Sequence, residues 1–567
     1  MTVAQSSIDY SCIRCGFISI IRRAESIQTS HVLDAFAHSN EPPLATEIEI
    51  LCKEYGDVTL AVASMDTEIA RLRDRLAAAE SRREMLSKRG EAYRSALHPC
   101  RRLPNEILGH IFRISVDEDI DISPFIRRPG PYTGFPFTFD TQRSPWVLGQ
   151  VCRRWRDLVL SLPELWTAVD LDCQKGIIEE RVHPFIEHRL SLRLERAQDR
   201  SLFISWYQDT CWDGVLTLLH ARTAQWKSVA IRAGLKDFRY LATFGASFPM
   251  LSTLCLHFER DLWSRLEESD TVFSVFRNAP ALQDLQLSGV PRIATRLSNL
   301  IPWRQITRFA LKGFHGQSED SIDIQHILPL LENVEDTSLY SFNFLGSPLT
   351  TPVKLLHLQS LSVYSDTLTL ARSLFRSLTL PALRSVEIGI FWLDEHYGRM
   401  VQPFLQFLRR SSCQLESAEF YYFDDADLLD ILRGPEMQGV HKLSLGGQIR
   451  RDYPLLTDHH NVSDEVLNAL QLARPGETGR PGLLLPHLRT LLLSGIKEWS
   501  DKALVDMVIS RRQVDHLIPG SVSRLERVEI YLDNATGSLV QNEEASAILD
   551  SLKAEGLLML VEEASWG

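Results

Sequence analysis

Residues 103–166 open with Leu103-Pro104-Asn105-Glu106-Ile107-Leu108 and continue to Ile111-Phe112. After a gap the chain resumes as Trp146-Val147-Leu148-Gly149-Gln150-Val151-Cys152-Arg153-Arg154-Trp155-Arg156-Asp157-Leu158, and it closes on Leu162-Pro163-Glu164-Leu165-Trp166. The spacing predicts short amphipathic helices. Pro104 suits a first helical turn, where its missing N–H costs nothing, and Glu106 places a carboxylate against the positive end of the helix dipole. Ile107, Leu108, Ile111 and Phe112 form one apolar stripe; Leu148, Val151, Cys152, Trp155 and Leu158 form a second. Helices this short bury too little surface to stand alone, so they need a neighbour in the chain, a partner, or both.

In order, Leu-Pro-x-Glu-Ile-Leu, Ile-Phe, Val-Cys-Arg-x-Trp-Arg-x-Leu and Leu-Trp resemble an F-box. The arrangement is especially similar to fungal F-box proteins, in which a heptad-bearing helix precedes the box and degenerate leucine-rich repeats follow. The resemblance implies docking on a Skp-type adaptor, and through it a cullin, by way of Leu103, Pro104, Ile107, Leu108, Ile111, Val151, Trp155 and Leu158, some of which must instead be internal to the box. The chain departs from the family pattern in an insertion, 115–143, between the two halves. Its acidic run Asp117-Glu118-Asp119-Ile120-Asp121 and its prolines and glycines read as loop. Phe125, Tyr132, Phe135, Phe137 and Phe139 either pack back onto the box or form a binding surface. The alternative for the whole stretch is a set of core helices capping the domain that follows.

Upstream, residues 1–46 show no sustained period and read as a mobile tail. Cys12 and Cys15 have two residues between them but lack two further ligands at zinc spacing. From Ile48 the chain changes character. Ile48, Leu51, Tyr55, Val58, Val62, Met65, Ile69, Leu72, Leu76, Ala79, Arg83 and Leu86 alternate steps of three and four, a heptad seam broken only at Arg83. A coiled-coil helix over 47–97 follows, loosening at Gly90; its stretch 47–89 would be about 65 Å long. That length exceeds what a small box can cover. The seam therefore implies self-association through 47–89, or a fold back along the chain's own repeat domain.

Downstream, 168–567 is expected to be an irregular, leucine-rich-repeat-like α/β solenoid, so that the fold class is mainly α, then α/β. The pattern apolar-x-x-apolar-x-apolar starts at Trp166, Trp226, Leu251, Leu282, Ile306, Val334, Leu358, Leu383, Leu415, Val440, Leu488 and Leu525. In a chain that is 44% apolar the pattern alone recurs by chance. The weight falls on its spacing: the steps from 226 to 251, 282 to 306, 334 to 358, 358 to 383 and 415 to 440 are all 24 or 25 residues, within the leucine-rich-repeat range. Each unit then supplies one short parallel strand and a return helix, such as 271–278, 371–377 and 401–410, while 474–482 is a loop. The other reading is a non-repetitive α/β domain. Strand period puts the intervening residues on an open, polar side. There Tyr340, Tyr364, Tyr421 and Tyr531 are the candidate target-binding residues, since tyrosine offers large area at low entropy cost. For the run Phe420-Tyr421-Tyr422-Phe423 a buried strand with one exposed tyrosine is an equal reading.

The 567 residues carry a formal net charge of −12 and 24% charged residues. This is an ordinary globular composition without the basic footprint of a nucleic-acid binder. No apolar run is long enough to span a bilayer, and the N-terminus has no signal-peptide pattern. The nine cysteines read as reduced thiols of an intracellular protein, cytoplasmic or nuclear. Glycine-rich phosphate loops, nucleophile elbows and HExxH are missing from the sequence, so no catalytic residue, metal or cofactor is assigned. Three readings compete. The first is the substrate receptor of an SCF-type ubiquitin ligase. The second is a non-catalytic interaction scaffold without ubiquitin transfer. The third is a repeat-fold enzyme with an unseen site.

Overall fold

The computed structural model describes residues 31–36, 38, 40–117, 141–171, 182–207, 213–233, 242–243, 245, 247–258, 274–288, 301–312, 324, 327–341, 351–365, 368–390, 400–447, 462–472, 484–513, 522–533 and 543–564. The chain divides into two compact units, Met1–Leu108 and Gly109–Gly567. The insertion's aromatic residues, Cys12, Cys15 and the loop 474–482 lie outside the described residues.

In the first unit a short helix, His31–Phe36, lies against a helix of 52 residues, Ala45–Ala96. The Glu47 carboxylate accepts the N–H of Leu44 at 2.8 Å and so closes the long helix's start. The helix does not loosen at Gly90 but runs through it to Ala96. A glycine costs a helix interior only about 1 kcal/mol, and the residues around it, from Glu84 to Ala96, are mostly good helix formers. No residue of the long helix is buried. Pro99 then begins a 3-10 turn, Pro99–Arg102.

Among the described residues the second unit is built on one parallel sheet of fourteen strands whose spatial order follows the chain, with no strand placed out of turn. The strands are β1 (Ala168–Leu171), β2 (Leu202–Tyr207), β3 (Trp226–Ala233), β4 (Thr253–Phe258), β5 (Asp284–Ser288), β6 (Arg308–Lys312), β7 (Asp336–Ser341), β9 (Ser360–Ser365), β11 (Ser385–Ile390), β12 (Ser417–Tyr421), β13 (Lys442–Gly446), β14 (Thr490–Gly495), β15 (Arg527–Asp533) and β16 (Leu558–Ala564). Two further short strands, β8 (Val353–Lys354) and β10 (Leu378–Thr379), pair only with each other. One strand per unit, each paired with the next, is a solenoid, and the non-repetitive alternative is set aside.

All twelve pattern starts are buried and immediately precede or open a strand. The second and third apolar positions form two continuous rows beneath the sheet. Leu254, Leu285 and Phe309 are neighbours in one row, Leu256, Leu287 and Leu311 in the other. The returning segments change along the chain. Between β5 and β7 the described returns are short 3-10 turns, at Trp303–Gln305 and Leu328–Leu330. Later returns are α-helices: Leu368–Ser377, Val401–Ser411, Asp425–Leu432, Asp464–Ala469, Asp501–Arg512 and Glu543–Ala554. Several start on side-chain caps, Asp424 accepting the Asp427 N–H at 2.7 Å and Ser500 that of Ala503 at 3.1 Å.

Arginines at the helix C-termini tie consecutive units together. Arg511 is fully buried, and its guanidinium donates to the carbonyls of Leu470 (2.6 Å), Leu485 (3.0 Å) and Leu484 (2.7 Å). Burial pushes it down to about 10, still charged at neutral pH. Removing it leaves three buried acceptors without their donor. We therefore expect Arg511→Met to lower the free energy of unfolding by about 3 kcal/mol or more, read as a lower urea midpoint; a midpoint equal to the native chain's would contradict this role.

Candidate functional site

The helix Asn105–Asp117 carries more apolar surface than it buries. The single stripe expected from the sequence is two stripes. Leu108, Phe112 and Val116, four residues apart, are buried, at 1%, 0% and 3% exposure. Ile107, Ile111 and Ile114 lie on another face and remain 49%, 44% and 46% exposed. Positions i, i+4 and i+7 share one side of a helix. Ile114 was not among the expected docking residues, although its spacing from Ile107 places it on their face. Leu103 is half-buried and Pro104 exposed.

The second expected stripe is broken. Cys152 takes an extended backbone, φ −161°, and its Sγ accepts the N–H of Trp155 at 3.5 Å, capping a new helix. Two helices result, Leu148–Val151 and Arg153–Ser161. The break rotates Val151 into solvent, at 59% exposure, and leaves Trp155 and Leu158 half-buried, while Val159 becomes the buried anchor. Trp155 stands edge-on to Phe112, ring centroids 4.8 Å apart. Arg113 donates Nε and Nη2 to Glu164 at 2.9 and 2.6 Å. Of the eight residues expected to dock an adaptor, Leu108 is thus an internal residue. Ile107, Ile111, Pro104 and Val151 are open to solvent, and Leu103, Trp155 and Leu158 are partly so.

A cationic and aromatic layer joins this segment to the first strand. Trp146 and Trp166 meet edge to face at 4.9 Å, and Trp166 Nε1 donates to the Val159 carbonyl at 3.0 Å. From the helix His183–Ala197, Arg196 lies 4.4 Å from the Trp166 ring centre and 4.9 Å from that of Trp146. Buried Arg193 donates to the Ala168 carbonyl of β1 at 2.5 Å, and burial pushes its guanidinium down to about 10 against the opposing pull of Asp170.

On the sheet's polar face the four expected target-binding tyrosines fall on one register row: Tyr340, Tyr364, Gly389, Tyr421, Gly446, Ser494, Tyr531. Tyr340 and Tyr364 stack at 4.8 Å with planes 5° apart, and Tyr421 continues the stack at 6.3 Å. Gly389 makes this possible, because a Cβ there would sit 2.5 Å from the Tyr364 ring. The expectation of four exposed tyrosines is corrected at two. Tyr364 and Tyr421 are buried, whereas Tyr340 and Tyr531 are half-buried. The buried pair is consumed by a network one row away. The Tyr364 hydroxyl donates to Glu387, which also accepts Ser362 Oγ at 2.7 Å. Glu419, the register neighbour of Glu387, accepts Tyr421 Oη and Lys442 Nζ, both at 2.8 Å. Burial and the adjoining carboxylates push both phenols up, so they remain protonated donors. Sequence could not separate packed from open tyrosines, since both occupy the same strand phase.

Among the described residues no group of three or more His, Cys, Asp or Glu is placed to hold a metal. Cys255 is buried on the polar face, and burial with nearby Asp284 pushes its thiol well up, the opposite of an activated thiolate. His257, beside Arg232 and Ser288 in register, is pushed down to about 3 by burial and by Arg232 and Lys312. Folded chain then keeps this imidazole neutral, whereas unfolded chain binds a proton below its ordinary 6.5. Stability contributed here is complete above 6.5 and is lost as pH falls toward 3. His257→Gln should lose less of its denaturation midpoint than the native chain between pH 7 and about pH 4.5; parallel losses in both proteins would contradict the assignment.

No family model matches the chain, and no curated protein matches it. Among solved structures, the complex of Rad7 and Elc1 in yeast is similar at 14% identity, with 67% of this chain and 87% of that chain covered and a TM-score of 0.29.

Proposed function

We propose that this chain is a non-catalytic receptor subunit of an SCF-type ubiquitin ligase, docking on a Skp-type adaptor through the segment around the helix Asn105–Asp117 and holding a target protein on the repeat domain. One observation carries the reading. The helix whose sequence resembles the first half of an F-box keeps Ile107, Ile111 and Ile114 in solvent while burying Leu108, Phe112 and Val116. A helix that only capped the solenoid would gain by having polar residues at those three positions. Three aligned isoleucines on a solvent face are what a protein interface would bury. The broken second stripe adds Val151 as a further exposed apolar residue.

The work of such a subunit is positioning. A target held on a rigid scaffold raises the local concentration of its lysines at the transfer site without a catalytic side chain here. The stacked tyrosines and the Glu387 and Glu419 network support rigidity of the polar face, and half-buried Tyr340 and Tyr531 are the residues there from which target contact is expected. A cullin would be reached through the adaptor, in the cytoplasm or the nucleus.

A pull-down with purified Skp-type adaptor tests this reading. The native chain should bind, Ile107→Asp with Ile111→Asp should reduce capture at least tenfold, and Leu103→Ala with Pro104→Ala should weaken it. Phe112→Ala, by contrast, should lower the unfolding midpoint, because it removes the partner of Trp155. A folded native chain that captures no adaptor would overturn the proposal, and an interaction scaffold without ubiquitin transfer would replace it.

A further inference from the structure

The long helix Ala45–Ala96 presents an apolar seam to solvent over most of its length. Exposure of the large apolar seam residues runs from 37% at Met65 to 75% at Tyr55, and only Leu51 is half-buried. An amphipathic helix in water alone gains nothing from such a seam, since most helical stability in proteins comes from covering it. With Ile48, Val62 and Ile69 at the first core position of the heptad, Leu51, Met65 and Leu72 stand at the second. β-Branched residues at the first position and leucine-like ones at the second favour two strands running in parallel.

The residues beside the seam are charged in a self-complementary way. In a parallel, in-register pair each residue just before the first core position faces a residue five further along the other helix, just after the second. By that rule Glu68 faces the second copy's Arg73, and Arg75 faces the second copy's Glu80. Two-fold symmetry makes each pairing occur twice. The other facing pairs that begin within the seam are Glu54 with Thr59 and Ala61 with Asp66, and neither sets like charge against like. Antiparallel alignment of the same seam would place Asp66 against Asp66 and Glu68 against Glu68. Within its own helix Glu68 is already held by Arg71, Nη2 to Oε1 2.5 Å. This fixes the carboxylate on the flank while each oxygen keeps a second lone pair for the facing arginine.

We infer that the chain is a homodimer through a parallel, in-register two-stranded coiled coil over residues 48–79. Arg83 sits where the next core residue would be, beside Arg82, so the zipper ends there and the two chains separate before Pro99. Dimerisation of this kind sets two repeat domains on one assembly and gives avidity toward a target with two binding segments or two copies. It does not depend on adaptor docking, and its test does not use the adaptor.

The experiment uses the full chain in size-exclusion chromatography with light scattering. The native protein should elute at about twice 64.6 kDa, and Val62→Asp with Ile69→Asp should elute at the single-chain mass with an unchanged unfolding midpoint for the repeat domain. Glu68→Arg should weaken the dimer several-fold, and adding Arg73→Glu to the same chain should restore it. For orientation, Val58→Cys in a Cys52→Ser background should form a disulfide joining position 58 of one copy to position 58 of the other, located by peptide mapping. A native chain at the single-chain mass, a Val62→Asp/Ile69→Asp chain that stays dimeric, or a Val58→Cys chain that links only when mixed with Leu76→Cys would each overturn the inference.

Discussion

The structure rests on a shared carbonyl at the mouth of the main-sheet strands from β5 to β15. The Ser252 carbonyl accepts the N–H groups of both Gln283 and Asp284, each at 2.9 Å; that of Gln283 accepts Thr307 and Arg308, at 2.9 and 3.0 Å; that of Gln359 accepts Arg384 and Ser385, at 2.8 and 2.9 Å; and that of His441 accepts Arg489 and Thr490, at 2.8 and 2.9 Å. One acceptor with two lone pairs thus fixes two successive donors of the next unit. A slip by one residue would break the fork and turn every apolar side chain of that strand to the polar face. Register is held in this way across returns as different as the turn Trp303–Gln305 and the helix Asp501–Arg512. The buried rows can therefore continue from β1 to β15 through units of unequal length. Since each unit is satisfied only by its neighbours, stability is a property of the array and not of any single repeat.

Against that regular ladder, the segment before β1 behaves differently. It is anchored by a small, dense set of contacts, Phe112 on Trp155, Trp146 on Trp166, and Arg196 over both of the latter rings. It nevertheless leaves Ile107, Ile111, Ile114 and Val151 in water. The ladder spends nearly all its leucines and isoleucines inside, so the exposed ones stand out by position. Most lie on or beside the long N-terminal helix, on the helix Asn105–Asp117 and its neighbours, and on β16, where Leu558 and Leu560 belong to the last strand; Leu356, just before β9, is a further one. The first two groups account for the proposed dimer and the proposed adaptor contact.

Much of this was legible in the sequence because the solenoid repeats one physical demand. Leu251, Leu282, Leu358 and Leu383 mark their strands by spacing. Thr337 is the instructive exception, a hydroxyl in the buried row between Phe309 and Leu361, at the second apolar position of the copy that starts at Val334. The last strand, β16, was missed, because Leu558-Met559-Leu560-Val561 lacks alternation. The candidate site was legible in composition but not in partition. Period places Leu108 and Ile111 on one apolar side, and only packing decides that the first is buried and the second exposed. The Cys152 cap, which divides one expected helix into two, depends on a backbone angle that no spacing encodes. Tyr364 and Tyr421 were misread as open for a related reason: strand phase shows which side a tyrosine faces, not whether its hydroxyl is already committed to Glu387 or Glu419.

The central claim, that the half-exposed helix Asn105–Asp117 is where this chain meets its ligase, is tested most directly by hydrogen exchange of the full chain with and without a Skp-type adaptor. Adaptor binding should slow exchange over residues 105–117 and 151–160 and leave the strands β9 to β13 unchanged. Slowed exchange on those strands with 105–117 unaltered would contradict it, placing adaptor contact on the repeat face and leaving the three exposed isoleucines without a role.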